Sequence, residues 1–137
     1  MRLLIFITLI TCININNTYS HGIINVINVK NNIGYIDLSI YDNEDAFYGR
    51  SDPIERIRKI ATKNITSIPL SKFHEGKISI FAFHDQNADS KFNQGFLWRN
   101  LEGFCYSNNY VPKSKPIYLE TVVEIKHNIP LELTLKY

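Results

Sequence analysis

The sequence has few cysteines, little net charge and no apolar run long enough to cross a bilayer comfortably. A formal charge of +2 on 137 residues provides no basic stripe for nucleic acid and little attraction to an anionic membrane surface. Glycine-rich phosphate loops, internal repeats and heptad patterns are also absent. These absences exclude a nucleic-acid binder, an integral membrane span and a P-loop nucleotide enzyme.

Residues 1–20 have the pattern of a secretory signal peptide. Arg2 supplies a positive charge, the apolar run LLIFITLITCI follows, and Thr18 and Ser20 form a small-x-small pair. We therefore expect cleavage after Ser20 and export to the periplasm or the extracellular space. The alternative is that the apolar run is a first core strand.

Cleavage leaves residues 21–137 as a mature chain with one cysteine and a formal charge of +1, because the removed segment contains Arg2 and no acid. This length is typical of a single domain. Cys105 then has no internal partner, and we expect it to be buried as a small hydrophobe, with pairing between chains as the alternative. The letters LITC, which end at Cys12, faintly resemble a lipoprotein cleavage box and leave lipidation open.

From residue 21 onwards, short apolar strands alternate with turns. Period-two alternation is clearest in YIDLSIYD, KISIFAFHD and LELTLKY. The alternation places Ile36, Leu38 and Ile40 on one face of the first strand, and Ile78, Ile80 and Ala82 opposite Ser79, Phe81 and Phe83 in the second. In the third, it predicts that Leu131, Leu133 and Leu135 point inward. GIINVINV, NITSIPL and IYLETVVEIKHN are further strand candidates, and the last would place Leu119, Thr121, Val123 and Ile125 on one side. About seven short strands predict an all-β fold, an antiparallel Greek-key β-sandwich of the immunoglobulin-like kind.

The stretch DNEDAFYGRSDPIERIRKIAT interrupts the strand pattern. Ile54 and Ile57 have helical spacing, and Pro53 suits the first position of a helix. We therefore expect one short helix here, or an excursion over the sheet edge. The basic residues of this stretch are Arg56, Arg58 and Lys59. They are interpreted as a solvated face, with a binding surface as the alternative.

The densest group of polar side chains lies in FHDQNADSKFNQGFLWRNLEGFCYSNN. Asp85, Asn87 and Asp89 alternate, as do positions one, three and five of EF-hand-like calcium loops. Lys91, at position seven, would offer only its backbone carbonyl, and Asn93 occupies position nine. Because calcium prefers hard oxygen ligands, these five residues predict a site for calcium or a similar cation.

The calcium pattern is incomplete at two positions. Ser90 occupies position six, where glycine is preferred, and Phe96 occupies position twelve, where a bidentate glutamate is expected. Glu102 is the nearest later acid and needs the chain to fold back. The alternative is a loop without metal, in which Asp and Asn side chains bond nearby backbone amides.

Catalytic constellations are weaker. A metal-dependent hydrolase would use His84, Asp85, Asp89 and Glu102. A zinc site from His74 and His84 is disfavoured, because the two ends of one strand lie roughly 30 Å apart. Nor does the SNN segment near the end of the stretch show a nucleophile-elbow context.

The loop motif resembles the signature of a bacterial family of secreted domains known only as domain-of-unknown-function family 2141. The residues that carry the resemblance are His84, Asp85, Asn87, Asp89, Lys91, Glu102, Gly103, Ser107, Asn108 and Asn109. The resemblance covers nearly all of the mature chain and implies a prealbumin-like, or transthyretin-like, β-sandwich without an established activity. Ser90, Asn93, Asn100 and Cys105 depart from the family pattern.

The sequence therefore favours a non-enzymatic exported module that binds an envelope protein or a carbohydrate. Aromatic residues crowd the region after the loop and are interpreted as packing, with a sugar-stacking platform as the alternative. They are Phe92, Phe96, Trp98, Phe104, Tyr106 and Tyr110. A further possibility is an accessory domain that docks on an envelope partner through an exposed sheet edge.

Overall fold

The computed structural model describes residues 22–72, 75–95 and 102–137, so the predicted signal peptide lies outside the described residues. This part of the chain contains eight strands and two short α-helices. In chain order they are β1 (Ile23–Val29), β2 (Tyr35–Tyr41), α1 (Glu44–Phe47), β3 (Glu55–Ile60), β4 (Asn64–Pro69), β5 (Gly76–Asp85), β6 (Phe104–Tyr106), α2 (Tyr118–Thr121), β7 (Val123–Ile125) and β8 (Leu131–Thr134). None of the helices described is long and apolar enough to span a membrane.

The strands form two sheets. The smaller has the order β4-β1-β8, and the larger has the order β3-β2-β5-β6, with β7 paired to the first residues of β5. The pair β1–β8 is parallel and the other pairs are antiparallel. The prediction of an all-β, sandwich-like fold is confirmed, while the Greek-key connectivity stays a prediction.

The two sheets are joined along one side. Phe104 in β6 and Lys136, just after β8, exchange two backbone hydrogen bonds, each 2.9 Å long. On the other side, β3 is the outer strand of the larger sheet and β4 is the outer strand of the smaller one. The sandwich is thus closed by backbone hydrogen bonds on one side and has strand edges on the other.

Alternation along the strands places the hydrophobic core between the sheets. Ile36, Leu38 and Ile40 are buried, whereas the residues between them face outward and are half-buried. The other buried core residues are Ile24, Val26, Val29, Ala61, Ile68, Leu70, Ile78, Ile80, Ala82, Cys105, Ile125, Leu133 and Leu135. Cys105 is a free, buried thiol, as predicted, and burial raises its pKa to about 12.

The short helix predicted within residues 42–62 is present, but its placement at Ile54 and Ile57 is wrong. Residues 55–60 form the edge strand β3, and they pair with β2 from Tyr35–Ile60 to Ile40–Glu55. Ile54 and Ile57 are three apart, a spacing that favours one face of a helix, but the ladder to β2 supplies backbone partners that override this local signal. The first helix lies earlier, at α1, where Asn43 Oδ1 accepts a 2.9 Å hydrogen bond from the N–H of Ala46 and caps the helix.

The strand predicted over IYLETVVEIKHN is only partly correct. Tyr118–Thr121 is the helix α2, and the strand β7 is limited to Val123–Ile125. Leu119 is 78% exposed, whereas Thr121, the last residue of the helix, is buried, so the two do not share one side. Leu131 is only half-buried, and the short strand β6 was not predicted.

Candidate functional site

Asp85 is the anchor of the loop that follows β5. Its side chain is fully buried, and Oδ2 accepts hydrogen bonds of 2.8 Å from Arg58 Nη2 and from the backbone N–H of Ser90. Oδ1 accepts a 3.2 Å hydrogen bond from the N–H of Asp89. Because a buried carboxylate is costly without partners, these three bonds give the first residue of the motif a structural role.

The start of the loop lies directly against the turn between β1 and β2. Gly34 in that turn has φ +76°, and a Cβ added there would lie 2.0 Å from the carbonyl oxygen of Asp85. A side-chain hydrogen bond of 3.2 Å from Asn31 Nδ2 to Gln86 Oε1 joins the same two segments. The glycine is therefore required both by its backbone conformation and by the close approach of the loop.

Asp89 organises the exposed part of the loop. Its Oδ2 accepts hydrogen bonds from the side-chain amides of Asn87 (3.1 Å) and Asn93 (2.9 Å), and its Oδ1 accepts one from the N–H of Lys91 (2.8 Å). These donors, with Asn93 the strongest, lower the pKa of Asp89 below its ordinary value. Ser90 adopts φ 64°, so the position where calcium loops prefer glycine has left-handed backbone here despite its side chain.

The chain folds back so that Glu102 contacts the loop, as a calcium site would need. Its Oε2 accepts a 2.9 Å hydrogen bond from the N–H of Asn93, and the side chain is only 4% exposed. Its Oε1 is buried without a hydrogen-bond partner in the described part of the chain. Among the described residues, no three His, Cys, Asp or Glu side chains are arranged to hold a metal ion. The calcium prediction, which also relies on amide and backbone oxygens, stays a prediction.

His84 lies in the interior, on the opposite face of β5 from Asp85. Its ring nitrogens lie 2.7 Å from Tyr137 Oη (Nδ1) and 2.7 Å from the Ile33 carbonyl oxygen (Nε2). Since a carbonyl can only accept, Nε2 donates and Nδ1 accepts from the tyrosine hydroxyl. That hydroxyl also accepts a 3.0 Å hydrogen bond from the N–H of Lys30. His84 thus links the last residue of the chain to the β1–β2 turn, while His74, its suggested zinc partner, lies outside the described residues.

The second half of the motif also makes structural contacts. The buried Ser107 hydroxyl accepts a 2.8 Å hydrogen bond from the N–H of Ile80 and donates one of 2.5 Å to the carbonyl of Thr121. Asn108 donates from Nδ2 to the carbonyl of Glu120 at 2.9 Å. These bonds hold β6 and α2 against β5, which gives the SNN segment a role in packing.

A groove of about 220 Å³ lies beside the loop on the outer face of the larger sheet. Its lining includes Asp37, Ser39, Arg56, Arg58, Phe83 and Ser90. Arg58 bridges Asp37 (Nη1–Oδ2, 2.6 Å) and the buried Asp85, and its guanidinium lies 4.1 Å from the centre of the Tyr35 ring. Desolvation raises the pKa of Asp37, although the neighbouring Arg58 opposes that shift. Arg56 has no ion pair within the described ranges.

The aromatic residues near the loop mainly contact one another. Phe92 packs against Phe81, Phe83 and Phe104, with ring centres 5.4, 5.6 and 5.2 Å apart. Tyr106 packs against Phe81 at 4.9 Å. These contacts agree with the interpretation of the aromatic residues as packing, while Phe96 and Trp98 lie outside the described residues. The sequence did not reveal that Phe81 and Phe83, on the outward face of β5, form the base of this cluster.

Sequence reasoning also missed the group formed by Asp37, Arg58 and Asp85. Arg58 was assigned to a helix face, whereas pairing of β2 with β3 places it opposite Asp37. The signal was present in the two segments, since Arg56 and Arg58 alternate in one and Asp37 is the single charge in the other. It becomes visible only once the two strands are aligned.

Together, the fold and site define an all-β, sandwich-like domain whose signature loop is anchored by a buried carboxylate paired with a partly exposed arginine. The chain belongs to a family described as an uncharacterized protein conserved in bacteria (DUF2141), whose model matches residues 24–130. This match runs from β1 to the residue before β8 and confirms the resemblance carried by the loop. No curated protein and no solved structure matches the chain.

Proposed function

We propose that this protein is an exported binding or envelope-associated module without catalytic activity, and that calcium stabilises its 85–93 loop. The observation that carries the proposal is the ion pair between the buried Asp85 carboxylate and the partly exposed Arg58. This pair fixes the start of the signature loop to the edge strand β3 and borders the open groove. Asp85 is a residue of the family motif, and here it holds a surface loop in place. Such a role suits a binding protein.

The hydrogen bonds of His84 favour this proposal over a hydrolase. Both of its ring nitrogens are hydrogen-bonded within the protein, to the Tyr137 hydroxyl and the Ile33 carbonyl, so neither is directed at a substrate or a metal ion. A general base has to come within hydrogen-bond distance of the proton that it removes. A hydrolase would therefore have to use the exposed Asp89 without His84 as its general base.

Calcium binding is supported by two features of the loop. Ser90 already has the left-handed backbone of the position-six residue, and the buried Glu102 supplies an unpartnered carboxylate oxygen near position nine. The side-chain amides of Asn87 and Asn93 now donate to Asp89, so binding requires them to rotate and present their oxygens.

A turnover assay separates a binding module from a hydrolase. The mature protein is incubated with chromogenic carboxylic esters, phosphate esters and glycosides, each in the presence of millimolar calcium or zinc. We expect no turnover above that of an Asp89→Asn variant. Turnover that this substitution or Glu102→Gln abolishes, in a protein that keeps its circular dichroism spectrum, would contradict the proposal.

Export is tested separately by fractionating cells that express the full chain. We expect a mature product whose first residue is His21, outside the cytoplasm. An intact chain that begins with Met1 and stays in the cytoplasm would contradict export without bearing on the role of the loop.

A further inference from the structure

We propose that the free edge of β3 binds an extended acidic segment of a partner protein, which adds a strand to the larger sheet. The inference rests on the proposed binding function and names its surface and the chemistry of its partner. Strand addition uses backbone hydrogen bonds for affinity and side chains at alternate positions for specificity. Both kinds of group are present at β3.

The backbone of β3 has a free row of hydrogen-bonding groups. The N–H of Ala61 donates to the Gly34 carbonyl at 3.1 Å, so the backbone polar groups of Ala61 point toward β2. By alternation, the N–H and C=O groups of Arg56, Arg58 and Ile60 point away from β2. In the described part of the chain, none of these groups has a backbone partner beyond the β2 ladder. Three outward-facing residues provide a ladder for an added strand.

The charges along β3 select an acidic partner. Arg56 and Arg58 project onto the outer face beside the groove, whereas Lys59 projects from the other face and is exposed. Arg58 already serves Asp37 and Asp85, but Arg56 and Lys59 form no ion pair among the described residues. Acidic side chains at alternate positions share one face of an added strand, so those on the outer face would meet Arg56.

The groove and Ile60 add specificity. A partner side chain beside Arg56 would enter the groove. There the hydroxyls of Ser39 and Ser90 can bind it together with the guanidinium. Ile60 is 67% exposed at the end of the strand and offers an apolar contact. The expected segment is extended, with acidic residues at alternate positions and β-branched residues between them.

A second copy of the chain fits this edge poorly. If two β3 strands paired antiparallel about Arg58, one guanidinium would face the other, and Lys59 would lie opposite Ile57. Like charges directly opposite each other are destabilising, and charged edge strands resist self-pairing. The charge pattern therefore favours a different, acidic partner.

The test uses the acetylated peptide VEVTVEV and a matched copy with glutamine in place of both glutamates. Fluorescence anisotropy at low salt measures the affinities, and amide hydrogen exchange of the protein reports the site. We expect the acidic peptide to bind about tenfold more tightly than its copy, with the difference shrinking as salt is added. It should protect the amides of Arg56, Arg58 and Ile60.

Matched charge reversals localise the binding. Arg56→Glu should weaken binding of the acidic peptide about tenfold. Lys126 is an exposed lysine just after β7, and Lys126→Glu should change the affinity less than about twofold. Equal binding of both peptides, unprotected edge amides or a dimer formed through β3 would overturn the β3 site. If an envelope protein is retained equally by wild type and Arg56→Glu, the β3 site is wrong while the proposed binding function stands. Turnover in the assay above would instead overturn that function.

Discussion

Arg58 Nη2 and Asp85 Oδ2 lie 2.8 Å apart, and this contact joins the edge strand β3 to the loop after β5. The carboxylate is fully buried, while the guanidinium is 29% exposed and also holds Asp37. One arginine therefore connects three segments that are distant in sequence.

Replacing Arg58 with alanine should lower the free energy of unfolding by about 3 kcal/mol, because the Asp85 carboxylate would stay buried without its cation. Arg50→Ala is the matched control. Its ion pair with Asp45 is exposed on both sides, at 59% and 67%, and should contribute less than about 1 kcal/mol. Urea denaturation of the two variants measures the difference. Equal losses would show that the Asp85 pair contributes no more than a surface contact.

Gly34→Ala should destabilise the protein by at least about 2 kcal/mol, because the new Cβ would overlap the carbonyl of Asp85. Gly49→Ala provides a close control, since Gly49 has the same φ of +76° with no atom within 4 Å. It should cost about 1 kcal/mol, from backbone strain alone. If the two variants have the same melting temperature, the close approach of the loop to the β1–β2 turn does not restrict residue 34 to glycine.

Tyr137→Phe should cost about 1–3 kcal/mol, because it leaves Nδ1 of the buried His84 without a donor. Tyr110→Phe removes a hydroxyl that has no hydrogen bond among the described residues and should change stability by less than about 0.5 kcal/mol. Urea denaturation compares the two. A neutral Tyr137→Phe would mean that the histidine does not depend on the C-terminal residue.

Stability should fall at alkaline pH, partly because of Cys105. Burial raises the pKa of this thiol from 9.0 to about 12, so the unfolded chain releases its proton first. Its contribution is therefore fully present below pH 9 and is lost progressively up to about pH 12. Thermal melting across this range should show a shallower decline for Cys105→Ala than for wild type. Parallel declines would indicate that the thiol is not protected in the folded protein.

Calcium at 10 mM should raise the melting temperature by about 4 °C or more, if the site has the millimolar to submillimolar affinity of extracellular calcium modules. Asp89→Asn should abolish the rise, since it removes a charged ligand. Lys91→Ala should keep the rise, because only the backbone carbonyl of this residue would bind. No shift in the wild-type protein would refute the calcium proposal and leave the loop held by its own hydrogen bonds.

Much of the fold was predictable because half-buried strands alternate with period two. That pattern identified β1, β2, β4, β5 and β8, which pair over several residues. It could not identify β6, whose three residues are too few to show a period. Nor could it assign residues 55–60, where the spacing of Ile54 and Ile57 favours a helix and only pairing with β2 shows a strand.

The site was predictable in its location but not in its contacts. Asp85, Asn87 and Asp89 were recognised by their spacing, which reflects a local backbone conformation. The charged partner of Asp85 is Arg58, 27 residues earlier, and the fold-back of Glu102 depends on the path between β5 and β6. Contacts of this range are set by strand register, which a single sequence does not specify.

A double-mutant cycle on Asp85 and Arg58 tests the central claim, that the signature aspartate anchors the loop structurally. Urea denaturation gives the unfolding free energies of wild type, Asp85→Asn, Arg58→Ala and the double variant. Once Asp85 is uncharged, the loss of Arg58 should cost much less, so the double variant should be close in stability to Asp85→Asn, with a coupling above about 1 kcal/mol. Simple addition of the two single losses would contradict the claim.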